Sequence, residues 1–164
     1  MEPARPYRPN VGIALFNAAG LVLIAKRLRD DGPEVIEPGR EWQMPQGGID
    51  ADEEPRAAAL RELHEETGVR SVAYLGETPG WLSYDFPPYA GPPHRLCAFR
   101  GQRQRWFAFR FTGDEREIDV TRVHVNDAEP EFGAWRWERL ERVPALVVPF
   151  KRAGYASVAR AFAA

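Results

Sequence analysis

Gly47 to Val69 reads G-G-I-D-A-D-E-E-P-R-A-A-A-L-R-E-L-H-E-E-T-G-V, and Arg61-Glu62-Leu63-His64-Glu65-Glu66 within it packs three carboxylates into five positions. Ala57, Ala58, Ala59 and Leu60 are strong helix formers, Pro55 suits a first helical turn, and Gly68 is the residue expected just past a helix end. The pattern predicts a helix from about Glu54 to Thr67. At about 100° per residue, Glu65 lies about 60° to one side of Glu62 and Glu66 about 40° to the other, so the three share a face. Ala57, Leu60 and Leu63 are then expected on the opposite face, as the core contact. His64, about 200° from Glu62, points away from the carboxylates and is assigned to packing.

Two features of this helix oppose local stability. Like charges three and four residues apart repel, and Glu65 and Glu66 occupy the last turn, where the macrodipole favours cations. A solvated acidic face is the ordinary meaning of a charge run. Here the triple clustering, the misplaced sign and the spacing favour a functional one. Hard divalent cations bind through a few carboxylates together with substrate phosphates, which such a face can supply.

Counted from Gly47, five residues precede Glu53, seven more precede Arg61-Glu62, and Glu65-Glu66, Gly68 and Val69 follow at fixed intervals. This stretch resembles the Nudix box at every defined position. Trp42-Gln43-Met44-Pro45-Gln46-Gly47-Gly48 and Tyr7-Arg8-Pro9-Asn10-Val11-Gly12 resemble one branch of that family, which contains bacterial RNA 5′-pyrophosphohydrolases and asymmetric dinucleoside-tetraphosphate hydrolases. So do Gly101-Gln102-Arg103-Gln104-Arg105-Trp106-Phe107, with arginine where lysine is expected, and the Pro130-Glu131-Phe132 and Trp135-Arg136-Trp137 elements.

The whole chain is compatible with that resemblance. Its 164 residues suggest one domain across 1–164, with 44% hydrophobic residues and no apolar run near the ~20 residues of a membrane helix. Met1 to Pro6 has no apolar signal region, and Cys97 stands alone, which suits a reducing cytoplasm. Net charge is −2, but the box carries seven acids against Arg56 and Arg61, leaving 20 bases and 17 acids elsewhere. A basic body around an acidic helix suits a phosphorylated ligand bridged by cations.

In chain order, Val11 to Phe16 reads as an apolar strand, Asn17 to Gly20 as a turn, and Leu21 to Arg27 as the hairpin partner. Asp30, Asp31, Gly32, Pro33, Pro38 and Gly39 mark Leu28 to Arg40 as a long exposed loop. Ser71 to Leu75 and Trp81 to Asp85 read as short strands, with a Pro- and Gly-rich loop through Pro93. From His94 to Phe111 five arginines and no acid are interleaved with aromatics. Phe107, Phe109 and Phe111 alternate as a buried strand face, so that arginines on the opposite register and in the preceding loop could face a nucleotide. Glu117 to Val125 reads as a strand or loop excursion. Tyr155, Val158 and Phe162 give Arg152 to Phe162 the spacing of a helix packed on the sheet. His94 and His124 have no partner at metal-ligand spacing.

The resemblance implies an α/β/α sandwich with a mixed sheet, and Mg²⁺-dependent hydrolysis of a phosphoanhydride, with Mn²⁺ as a substitute cation. It implies Glu62, Glu65 and Glu66 as metal ligands, with Glu131 an outlying ligand and Glu129 its competitor. Glu62 binds metal, orients water or acts as base, Arg61 orients a carboxylate, and Glu53 braces the loop and helix or joins the metal shell. Arg8, Arg27 and Lys151 match basic positions near the polyphosphate or first nucleotide, Tyr84 and Phe150 match base-stacking aromatics, and Arg103 and Arg105 belong to the basic, aromatic stretch. The substrate implied is 5′-triphosphorylated RNA, the alternative a dinucleoside polyphosphate such as diadenosine tetraphosphate. A non-catalytic module of this type would be expected to lose one of the three glutamates. Isoprenoid diphosphate isomerisation lacks its paired cysteine and glutamate.

Overall fold

The computed structural model describes residues 5–28, 30, 32–121 and 132–163. Strand β1 (Tyr7–Phe16) lies at the middle of a mixed sheet because its apolar residues run on both registers. Beside it β7 (Gly101–Phe111) runs parallel, paired from Tyr7 with Gly101 to Phe16 with Arg110. Antiparallel to β7 lie β5 (Val72–Glu77) and β6 (Leu82–Asp85). On the other side β2 (Val22–Arg27) pairs antiparallel with β3 (Trp42–Gln43) and with β8 (Phe132–Glu138).

The expected β1–β2 hairpin forms at its turn, where Phe16 pairs with Val22, and then opens. Into the opening comes the segment from Trp42 to Gly48. It pairs first with β2 through Gln43 and Ala25, then crosses at Met44 and Pro45, and as β4 (Gln46–Gly48) pairs with β1 at Asn10, Val11 and Gly12. The Pro45 carbonyl accepts from the Ile13 N–H at 2.9 Å, which fixes the crossing to β1. The two glycines therefore reach the end of the sheet directly before the box helix.

Two helices cover the two faces. α1 (Pro55–Thr67) begins at Pro55 and ends where Gly68, at φ 78°, donates its N–H to the His64 carbonyl, close to the expected limits. It packs Ala58, Ala59 and Leu63 on Val11, Ile13, Leu15, Phe107 and Phe109. α2 (Arg152–Ala161) packs Tyr155 and Val158 on Ala14, Ile24, Met44 and Trp106 from the opposite side. The Tyr155 hydroxyl also accepts the Met44 N–H, so the C-terminal helix holds the crossing segment from below. Gly12 is required there: a Cβ would sit 2.4 Å from the Trp106 ring.

Two expectations are corrected. The buried stripe of α1 is Ala58, Ala59, Leu63 and Thr67, while Ala57 is exposed and Leu60 is 40% exposed. The glutamate face is thus the packed face and not its opposite, because Glu62 and Glu66 lie within about 60° of Ala59 around the helix. The segment 28–40 is not simply an exposed loop, since Pro33 and Glu34 are buried. Of the strand or loop expected over Glu117 to Val125, the described part takes the loop alternative, with a 3₁₀ turn at Glu115–Glu117 and no strand through Thr121. Glu129, Glu131, His124 and the rest of 122–131 lie outside the described residues.

Candidate active site

Helix α1 presents its carboxylates to a cleft at the end of β1 and β4, walled by Gly47, Gly48, Gln46, Arg8, Asn10 and Gln102. Glu62, Glu66, Glu34 and Arg95 complete the lining of this cavity of about 130 Å³. The glycine pair is what lets the helix come so close. A Cβ on Gly47 would lie 2.0 Å from the Glu62 carboxyl carbon, and one on Gly48 would lie 2.2 Å from the Arg8 guanidinium. Acid and base are thereby set on successive glycines of a single short strand.

Arg61 organises the acidic side. Its Nε and Nη2 grip both oxygens of Glu53 at 2.8 and 2.9 Å, its Nη1 donates to Glu62 at 2.9 Å and Glu65 at 3.2 Å, and Nη2 also reaches the Gly48 carbonyl. The planar fork of arginine suits this multiple grip, which a point ammonium could not reproduce. Glu53 is tied back to the loop through the Asp50 N–H, and the Arg61 contact holds its carboxyl below the usual range. Asp52, at φ 64°, makes the left-handed turn that brings Glu53 round, a conformation that aspartate tolerates. Glu66 accepts the Gln46 N–H at 3.2 Å.

Glu62 carries the chemical tension of the site. Its side chain is 14% exposed. Burial pushes its carboxyl up to about 7, with Arg61 opposing the rise and Glu65 adding to it. Two hard carboxylates, Glu62 and Glu66, therefore stand in a cleft whose other wall carries Arg8 and Arg95. The donor set fits a hard divalent cation, which takes one or two protein carboxylates and fills its shell with water and phosphate oxygens. Among the described residues no three His, Cys, Asp or Glu side chains converge on one point, so the fit is to that sparse mode and not to an all-protein cage.

A second polar centre forms one wall of the same cleft. The Glu34 carboxylate is buried, and its Oε1 accepts from the Tyr84 hydroxyl at 2.5 Å and from Gln102 Nε2 at 2.9 Å, with Lys151 Nζ at 3.3 Å. Lys151, 1% exposed, also donates to Gln43 at 3.1 Å, and Arg27 Nη2 donates to the Glu34 carbonyl at 2.6 Å. Burial alone would raise the Glu34 pKa, but Lys151, the Tyr84 hydroxyl and Arg27 outweigh it, so the carboxyl is held below its ordinary value. The Tyr84 hydroxyl is pushed far up by burial and by the adjacent carboxylate, and stays protonated as the donor.

With this geometry established, the chain can be set beside known proteins. A family model for the NUDIX domain matches residues 6–158. The chain belongs to the NUDIX family. The RNA pyrophosphohydrolase of Azorhizobium caulinodans is 54% identical to it over 157 residues, 96% of this chain and 92% of that protein. The RNA pyrophosphohydrolase of Acidiphilium cryptum is 54% identical over 164 residues, covering 98% and 92%. Among solved structures, a C. elegans Ap4A hydrolase binary complex superposes with a TM-score of 0.62 at 18% identity over 95% of each chain. The E. coli dihydroneopterin triphosphate pyrophosphohydrolase gives 0.65 at 17% identity over 96% and 97%. At those identities the two structures establish the Nudix sandwich and nothing finer.

Of the residues picked out from the Nudix resemblance, Glu62, Glu66 and Arg8 line the cleft, and Arg61 and Glu53 brace it from behind. Glu65 is turned to Arg61 and is 43% exposed, away from the cleft wall. Arg27, Tyr84 and Lys151 gather on Glu34, and Phe150 packs against Tyr84 with ring centroids 5.6 Å apart. Arg103 and Arg105 share the register of Phe107 and Phe109, and stack on Trp81, with Arg105 also paired to Glu77. It is Gln102 and Gln104, on the alternate register, that join the polar floor: Gln102 accepts from Arg8 and Asn10, and Gln104 donates to Asn10. Arg95 is the arginine of the loop before β7 that faces the cleft, as the basic stretch suggested, whereas Glu34, Asn10, Gln46 and Gln102 were not foreseen as site residues. A lone carboxylate between Pro33 and the apolar pair Val35-Ile36 was the available sign for Glu34.

Proposed function

We propose that the chain is a divalent-metal-dependent hydrolase, one catalytic domain across 1–164, that removes pyrophosphate from the 5′-triphosphate end of RNA in the cytoplasm, with Mg²⁺ as the working cation. The observation that carries this is the cleft in which Glu62 and Glu66 oppose Arg8 and Arg95 across the Gly47-Gly48 strand. Such an arrangement suits a phosphate chain whose negative charge is met by arginines on one side and by carboxylate-held cations on the other. Two RNA pyrophosphohydrolases at 54% identity over nearly the full chain support RNA as the substrate class.

Glu62 and Glu66 hold the cation, and Glu131 is the outlying ligand. When bound, the cation supplies Lewis-acid polarisation of a phosphoryl oxygen and an acidified water. The protein's own groups do the rest. Arg61 keeps Glu62 turned toward the cleft, Glu53 keeps Arg61 in place, and the Gln46 N–H fixes Glu66. Arg8, held by Gln102, faces the phosphates as a planar donor. Glu62, packed against Gly47 and turned to the cleft by Arg61, is the candidate to orient the attacking water.

Parallel rates on 5′-triphosphorylated RNA and on diadenosine tetraphosphate test the substrate. Faster release of pyrophosphate from RNA is expected, and an advantage of about 100-fold for the dinucleotide would replace this reading. Glu66→Gln tests the chemistry: turnover should fall about a thousandfold, several kcal/mol of barrier, with the thermal unfolding curve retained. Unchanged turnover in that variant would remove Glu66 from the site.

A further inference from the structure

Strands β1 and β7 run side by side with Arg8 against Gln102, Asn10 against Gln104 and Gly12 against Trp106. Alternate side chains of a strand share one face of the sheet, so these six form three successive cross-strand pairs on a single face. Gly12 leaves the space that the Trp106 ring fills. Asn10, Gln102, Gln104 and Trp106 are all buried, where a polar atom left unpaired is costly.

An amide oxygen only accepts and an amide nitrogen only donates, so a chain of buried amides has a direction. Here both ends of the chain are fixed. At one end the Trp106 indole can only donate, and its Nε1 gives to Gln104 Oε1 at 3.2 Å. That turns Gln104 Nε2 to Asn10 Oδ1 at 2.9 Å, and Asn10 Nδ2 to Gln102 Oε1, also at 2.9 Å. At the other end the Glu34 carboxylate, held below its ordinary pKa, can only accept, and it takes Gln102 Nε2 at 2.9 Å. Both ends therefore demand the same orientation of Gln102. Its oxygen faces Arg8, whose Nη1 donates to it at 3.1 Å. Reversing any one of the three amides would set oxygen against oxygen on one side and N–H against N–H on the other.

Arg8, Asn10 and Gln102 line the cleft, whereas Gln104 is 2% exposed and is not part of its lining. We propose that Gln104 is a positioning residue for Arg8: it relays the direction fixed at Trp106 through Asn10, and so presents the Gln102 oxygen to the guanidinium that meets the polyphosphate. The proposal rests on the hydrolase reading above and adds what holds its arginine in place. Gln104 Nε2 also donates to Gln46 Oε1 at 3.3 Å, but Glu66 is held by the Gln46 backbone N–H, on a strand that pairing with Gly12 already fixes. The influence of Gln104 thus runs to the arginine and not to the carboxylates.

A double-mutant cycle on 5′-triphosphorylated RNA tests this, with Gln104→Met, Arg8→Met and the two combined. Gln104→Met nearly keeps the volume and removes the amide, and should lower kcat/KM about tenfold, the low end for loss of a supporting contact. Arg8→Met should lower it further. Adding Gln104→Met to Arg8→Met should then cost less than about twofold, because the two side chains act as one unit. A merely structural role would give the same fold-loss in both backgrounds, and that result would overturn the proposal. Trp106→Phe removes the N–H at the head of the chain while keeping an aromatic ring, and it carries the same cycle, with a smaller loss, should Gln104→Met lose its fold. The NMR order parameter of Arg8 Nε–H gives a readout without turnover. It should fall in the Gln104 variant while that of Arg61, braced by Glu53, stays as in the parent. An unchanged value for Arg8 would also overturn the proposal. If the parent fails to hydrolyse the RNA while Arg8 still loosens in the variant, the hydrolase reading falls and the positioning of Arg8 stands.

Discussion

Two charged hubs face each other across the cleft, and they are built with opposite polarity. On the helix side a cation, Arg61, is ringed by Glu53, Glu62 and Glu65, and is partly open to solvent at 28% exposure. On the sheet side an anion, Glu34, is ringed by Lys151, Tyr84, Gln102 and Arg27, all of it buried. The first hub leaves an excess of carboxylate for a cation to satisfy. The second sets the single carboxylate of Glu34 against the cations Lys151 and Arg27 in the interior, and Glu34 Oε1 is committed to Tyr84, Gln102 and Lys151, so that it is suited to hold shape. Carboxylate left over marks the chemistry, and a carboxylate outnumbered by its cations marks the scaffold.

Breaking the buried hub should therefore cost the most stability. Lys151→Met leaves the Glu34 carboxylate buried beside a thioether and should destabilise the fold by about 3–5 kcal/mol, the range for removing one partner of a buried ion pair. The double variant with Glu34→Gln should recover most of that loss in chemical denaturation. If Lys151→Met alone unfolds no more easily than the parent, the buried pair is not a scaffold and the contrast between the hubs collapses.

The helix hub should respond in rate and not in stability. Arg61→Lys keeps a charge but cannot grip Glu53 with two nitrogens while reaching Glu62 and Gly48 with others. Loss of such a support typically costs about 10–100-fold in activity or metal affinity. Steady-state kinetics across a Mg²⁺ titration should show that loss, with an unfolding free energy much closer to the parent's than that of Lys151→Met.

The two hubs also differ in how much of them could be read from sequence, and for one physical reason. Arg61, Glu62, Glu65 and Glu66 sit within a single helix, so a fixed rise and rotation convert spacing into geometry. The helix limits and the central apolar strand were legible on the same basis, while the sandwich followed only from the resemblance to the Nudix family. Glu34 draws its partners from positions 27, 84, 102 and 151, a set joined only by tertiary folding. No periodicity connects them, and the loop chemistry around Glu34 argued for solvent. The face of α1 was misread for a related reason. The core contact was placed opposite the glutamates, on Ala57, Leu60 and Leu63, whereas Gly47 lets the Glu62 carboxylate pack closely against the β4 backbone.

A smaller effect separates the hubs by pH. The folded state holds Glu34 below its ordinary pKa of 4.5, so its ionised form contributes stability above that value and loses the contribution as pH falls through the depressed pKa. Other carboxylates are shifted the same way, including Glu53 and Glu117, so the parent alone cannot isolate the effect. Denaturation curves for the parent and Glu34→Gln should converge as pH falls from about 6 to about 3, because the variant has no such proton to take up. Parallel curves over that window would mean that Glu34 is not the ionised centre of its hub.

The smallest expected effect bears on which face of α1 the protein uses. Leu60, assigned to the core by its spacing, is 40% exposed, whereas Leu63 is fully buried against the sheet. Surface substitutions away from special features usually change stability by no more than about 0.5 kcal/mol, while a buried Leu→Ala costs about 2–5 kcal/mol. Leu60→Lys should therefore leave both the unfolding free energy and kcat/KM almost unchanged, and Leu63→Ala should not. A large loss from Leu60→Lys would turn the helix about its axis by roughly 100°, moving Glu62 and Glu66 away from Gly47 and Gln46, and with them the cleft on which the helix hub acts.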